Sequence, residues 1–143
     1  MRNPLNIGSK ILDAANVHAI KPISEEQLAT LNTDKAFTTE IRAIGSNGGY
    51  VEHLPVAKVV EAFAKIGEKL TLLPSGEAIR AEWISNIKPF QSRADQPNRF
   101  ASVVEFRNPA SGQAVQEWFA ARPEQIPGGN APSLLDLAGG PGK

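Results

Sequence analysis

Few side chains here are of types that do chemistry, and they stand apart along the chain. There is no cysteine, so disulfide staples, thiolate catalysis and cysteine metal sites are excluded. The two histidines, His18 and His53, form no helical pair four residues apart. No metal is expected on that ground, and no other cofactor is indicated. His53 follows Glu52, lies close to Tyr50 and stands just ahead of a predicted helix at Pro55. Beside free helix amides it can act as acid, base or anion binder; the competing reading is an exposed loop histidine. It is the one candidate catalytic residue. His18 is expected on an edge strand, in a structural role. The candidate ligand-binding residues are Arg42, Tyr50, Trp83, Glu105 and Arg107. Trp83, near Arg80 and Glu82, reads as core or as the wall of a pocket, and Trp118 as core. Glu40, Arg42, Glu105 and Arg107 are expected to share one sheet face, as structural ion pairs or as ligand contacts.

The elements that must hold these residues follow from periodicity. Residues 1–14 show weak patterning and are expected to be an irregular arm, with a short strand from Ala15 to Ile20. Ser24-Glu25-Glu26-Gln27 is a capping-box sequence opening a short helix. Phe37 to Ile44 alternates as a half-buried strand. Gly45-Ser46-Asn47-Gly48-Gly49 is a turn and not a phosphate cradle, since it lacks the lysine and hydroxyl of such loops. Val56, Val59, Val60, Phe63 and Ile66 give the clearest amphipathic helix, from Pro55 to Ile66, with Gly67 at its C′ position.

Strands are expected over Lys69 to Leu73, over Glu77 to Ile87 with its strand character around Trp83, Ile84 and Ile87, and from Phe100 to Arg107. A polar loop occupies Gln91 to Asn98. Asn108-Pro109 is expected to open a second helix with Val115, Trp118 and Phe119 inward and Arg122 in its last turn. No internal repeat stands out. The expected division is therefore an arm (1–14), one α+β domain (15–122) and a Pro/Gly-rich tail (123–143), whose one apolar island is Leu134-Leu135-Asp136-Leu137.

Composition narrows the function classes. Of the 143 residues 41% are apolar, enough for a core, and fifteen basic residues balance fifteen acidic ones. Nucleic-acid binding is not expected from that balance. No segment approaches the roughly 20 apolar residues of a membrane helix, and the first ten residues lack the apolar run of a signal peptide. A cytoplasmic protein is expected.

Three segments carry a resemblance: Ile23-Ser24-Glu25-Glu26-Gln27-Leu28, Ala62-Phe63-Ala64-Lys65-Ile66-Gly67 with Lys69-Leu70-Thr71-Leu72, and Ser102-Val103-Val104-Glu105-Phe106 with Pro109. Together they resemble a bacterial family of unknown function in the dimeric α+β barrel superfamily. The resemblance implies a ferredoxin-like antiparallel sheet with helices on one face, and a homodimer whose sheets face each other. It carries no catalytic residues across, because that superfamily hosts unrelated activities. The function expected is binding of a small, partly apolar molecule in a cleft, with isomerase-, cyclase- or monooxygenase-like chemistry; the alternative is a non-catalytic protein-interaction module.

Overall fold

The computed structural model describes residues 2–8, 10–31, 34, 36–45, 48–91 and 100–127. Among them are ten strands and two α-helices, an α+β fold. The chain divides into two compact units, Met1–Leu72 with Gly76–Arg80, and Leu73–Ser75 with Ala81–Lys143. The stretch 15–122, expected as one domain, contributes to both.

The first unit opens on a hairpin, β1 (Pro4–Ile7) and β2 (Lys10–Asp13), where an irregular arm was expected. Leu5 and Ile7 alternate inward and join the core, which a four-residue strand signals only weakly in sequence. The Asp13 carboxylate accepts from the amides of Asn3 (3.0 Å) and Ala15 (3.2 Å), tying the hairpin to the helical turn Ala14–Asn16. β3 (Val17–Pro22) follows, then α1 (Glu25–Thr30). The capping box closes as expected: the Gln27 amide donates to Ser24 Oγ at 3.2 Å, and the Ser24 amide to Gln27 Oε1 at 3.0 Å.

β4 (Phe37–Ala43) and β5 (Gly49–Glu52) complete a meander, and α2 (Val56–Lys65) packs Val56, Val59 and Phe63 into the core. Full burial of each stabilises the fold by about 2 kcal/mol before entropy is counted. Gly67 ends the helix at φ 86°, a conformation glycine adopts without steric cost. β6 (Thr71–Leu72) and β7 (Ala78–Ile79) add to β3, giving a five-stranded antiparallel sheet in the order β5-β4-β3-β7-β6. β3 is therefore central, and His18 is buried within the sheet instead of standing on an edge.

The second unit has a helical turn at Ala81–Trp83, then β8 (Ile84–Pro89), β9 (Ser102–Arg107) and β10 (Ala114–Phe119) in a three-stranded antiparallel sheet, order β10-β9-β8. β10 overturns the expected second helix. The spacing of Val115, Trp118 and Phe119 imitates a helical stripe. Burial instead follows a period of two: Glu117, Phe119 and Ala121 are enclosed, while Gln116, Trp118 and Ala120 are exposed. Glu117, a charged residue turned inward, masks the alternation.

Asn108-Pro109 makes a turn and not a helix start. Asn108 Oδ1 accepts from the Ala110 amide at 2.9 Å, and the Gly112 amide donates to the Asn108 carbonyl at 2.7 Å. Ferredoxin-like topology needs a second helix after the third strand, and a strand occupies that place. Leu73, Val104, Phe106, Phe119 and Ile126 are all buried in this unit, and the Phe106 and Phe119 rings meet edge to face at 5.9 Å.

The two halves of the sequence repeat one element order that the residue pattern alone did not reveal. A hairpin, a single helical turn and a three-strand meander occur as β1 to β5, and again as β6 to β10. At one constant spacing Leu12 corresponds to Ile79, Ala14 to Ala81, Val17 to Ile84, and Ile20-Lys21-Pro22 to Ile87-Lys88-Pro89. Few residues are identical between the two halves, which hides the duplication. Residues 92–98 of the expected polar loop and Leu134 to Leu137 lie outside the described residues.

Candidate functional site

The expected site residues are divided between the two compact units. Arg42, Tyr50 and His53 belong to the first unit, and Trp83, Glu105 and Arg107 to the second. Glu40 and Arg42 lie on β4, Glu105 and Arg107 on β9, strands of different sheets, so the single charged face expected of these four does not exist as one sheet surface.

His53 follows β5 with its side chain 76% exposed, its Nε2 3.7 Å from Glu52 Oε2. It is the one residue other than glycine with positive φ among those described, at 65°. Its backbone thus bends the chain between β5 and α2, while its ring stays in water. Trp83 is buried, consistent with a core role. Arg42 Nη1 donates to Glu40 Oε2 at 2.9 Å on the same strand. Ser85 Oγ donates to Glu105 Oε1 at 2.6 Å across β8 and β9, and Arg107 Nη1 donates to the Gly112 carbonyl at 2.8 Å. Among the described residues no group of three or more His, Asp or Glu could hold a metal ion.

A polar knot that the sequence reading missed lies in the first unit. Arg80 Nε donates to the Val17 carbonyl at 2.7 Å, Nη2 to the Ala14 carbonyl at 2.8 Å, and Nη1 to Glu68 Oε1 at 2.7 Å. Asn3 Nδ2 donates to Glu68 Oε2 at 2.6 Å and to the Ile66 carbonyl at 3.1 Å. Burial alone would raise the Glu68 carboxyl, but the hydrogen bonds from Asn3 and Arg80 and the Arg80 charge outweigh it and hold it below its ordinary value. Each of these bonds joins two elements of the unit, which makes this knot a fastening.

The surface with a recognisable binding chemistry is the outward face of β8-β9-β10. Lys88, Val103 and Trp118 stand in one cross-strand row, and Asn86, Glu105 and Gln116 in the next. Trp118, expected in the core, is 37% exposed, and Phe90, 38% exposed, meets it edge to face with centroids 6.4 Å apart. The first unit holds the corresponding row, Lys21-Glu40-Tyr50, in which Tyr50 packs against Phe37 at 5.4 Å. Each meander therefore sets a lysine at one end of a row and an aromatic ring at the other. In the second unit the residue between them is apolar Val103, so an aromatic, an apolar and a basic residue stand side by side in one cross-strand row.

Among the described residues no helix is long and apolar enough to cross a membrane. Compared with protein-family models, with curated proteins and with solved structures, the chain finds no match.

Proposed function

We propose that this protein is a non-catalytic interaction module, and that the outward face of β8, β9 and β10 receives a protein partner. One observation supports this reading above the others: Phe90 and Trp118 form an edge-to-face pair that remains more than a third exposed. Large aromatic rings gain most from being covered, and tryptophan is enriched among the residues that dominate binding energy. Val103 extends the apolar area between Trp118 and Lys88, while Glu105 and Arg107 continue along the same strand. An apolar centre with charged residues at its margin is the anatomy of a protein contact surface. The fitting partner presents an apolar side chain to the rings and an acidic group to Lys88.

The test compares the unmodified chain with Trp118→Ala and Val103→Glu in affinity capture from the source cell, followed by calorimetry with the purified captured protein. Binding by the unmodified chain and its loss in both variants is the expected result. A partner that binds all three chains equally would end this assignment.

A further inference from the structure

The internal repeat assigns partners to two strand edges. In the first unit the edge of β3 away from β4 is filled by β7, with Ala19 opposite Ile79 and Ile20 opposite Ala78. β8 is the repeat equivalent of β3, with the same Ile-Lys-Pro ending, and β2 is the equivalent of β7, with Ile11-Leu12 in the place of Ala78-Ile79. Yet among the described residues β8 pairs with β9 alone, and β2 with β1 alone. The pairing that joins β3 to β7 thus has a counterpart, β8 to β2, in which neither strand carries a second paired strand among the described residues. Open edges present a row of unpaired amides and carbonyls and are templates for another strand.

Ile11 fits this reading. It is 62% exposed, the most exposed of the large apolar residues on the described surface, although its neighbour Leu12 packs against the core. Leu5 and Ile7 anchor β1 in that core, so the hairpin that carries β2 is held in place.

We propose that β2 of one copy adds antiparallel to β8 of a second copy, with Leu12 opposite Asn86 and Ile11 opposite Ile87. The second copy returns the same contact, as two-fold symmetry requires. Each three-stranded sheet then becomes five-stranded, matching the five-stranded sheet that β7 and β6 complete in the first unit. The contact uses strand edges and leaves the Phe90–Trp118 face uncovered, so it stands independently of the function proposed above.

The absence of native cysteine makes disulfide trapping clean. Ile11→Cys and Ile87→Cys are made as separate single variants, mixed and oxidised. A mixed disulfide dimer, at twice the 15.3 kDa chain mass on a non-reducing gel and dispersed by reductant, is expected. The double variant is expected to give the same linked dimer. Light scattering at tens of micromolar should show a dimer for the unmodified chain and for Trp118→Ala, and a monomer for Ile11→Lys with an unchanged circular dichroism spectrum. Three results would overturn the proposal: a monomeric unmodified chain, a double variant whose disulfide closes within one chain, or dissociation by Trp118→Ala with Ile11→Lys still dimeric.

Discussion

Arg80 and Glu68 face each other at 2.7 Å, with the arginine side chain only 4% exposed and the glutamate 15%. Two further guanidinium donors go to the carbonyls of Val17 and Ala14, so one side chain joins β3, the preceding helical turn and the segment after α2. Removing it takes the charge partner from Glu68, which keeps the Asn3 amide, and one donor from each of the two carbonyls. Arg80→Ala should therefore destabilise the first unit by about 3–5 kcal/mol, as loss of one member of a buried pair does. Chemical denaturation measures this, and a midpoint equal to that of the unmodified chain would refute the fastening role.

The same pair makes stability pH-dependent in a defined direction. The Glu68 carboxyl is held below its ordinary value of 4.5 in the folded chain. A depressed carboxyl contributes stability that is fully present above the unfolded value and is lost as pH falls through the folded one. Melting temperature should hold between pH 5 and pH 7, as far as this group decides it, and fall below about pH 4.5. Glu68→Gln should flatten that acid limb while lowering stability at neutral pH. An acid limb of unchanged slope in this variant would assign the loss to other carboxylates.

How much of this was legible in the sequence depended on whether local patterning and burial agreed. α2 could be read because Val56, Val59 and Phe63 stack one stripe and Gly67 marks the end. β9 could be read because Ser102, Val104 and Phe106 alternate inward without exception. β10 could not, because Glu117 occupies an inward position and Trp118 an outward one, the reverse of what polarity suggests. The β1–β2 hairpin was too short to show a period. The candidate site followed the same rule. Charged residues on alternating strands were found, but which sheet each strand joins depends on long-range pairing that no local pattern encodes.

Phe63 and Phe106 are both fully enclosed, one on α2 and one on β9. Truncation of either to alanine should cost about 3–5 kcal/mol, combining lost transfer energy with the cavity left behind. The two residues lie in different compact units. Unfolding followed by tryptophan fluorescence, which reports Trp83 and Trp118 of the second unit, and by backbone circular dichroism should show whether Phe63→Ala lowers both transitions together. A fluorescence midpoint unmoved by Phe63→Ala, beside a lowered dichroism midpoint, would show that the units unfold separately.

His53 is a test of a different kind. Its exposed ring and left-handed backbone predict that side-chain chemistry contributes little and conformation more. His53→Ala should change stability by less than about 1 kcal/mol. His53→Val should lose about 1 kcal/mol more than His53→Gly, because a β-branched residue tolerates positive φ poorly. Equal stability of the valine and glycine variants would contradict the backbone assignment.

The turn between β9 and β10 offers the sharpest discrimination between two readings of the same residues. Gly112 sits at φ 76°, its amide donating to the Asn108 carbonyl at 2.7 Å and its own carbonyl accepting from Arg107 Nη1 at 2.8 Å. A Cβ there meets no atom within 4 Å, so space is not the constraint. Backbone conformation is. An alanine forced into the left-handed region costs roughly 1–2 kcal/mol. Were residues 109–122 a helix, the same change would remove a glycine from the helix interior and stabilise the chain by about 1 kcal/mol. The two folds thus predict opposite signs for one substitution. Gly112→Ala is expected to lower the denaturation midpoint, and Gly112→Asn to lower it less, since asparagine enters the left-handed region more readily. A midpoint raised by alanine would restore the helix and remove β10, and with it the cross-strand row that places Trp118 beside Val103 and Lys88.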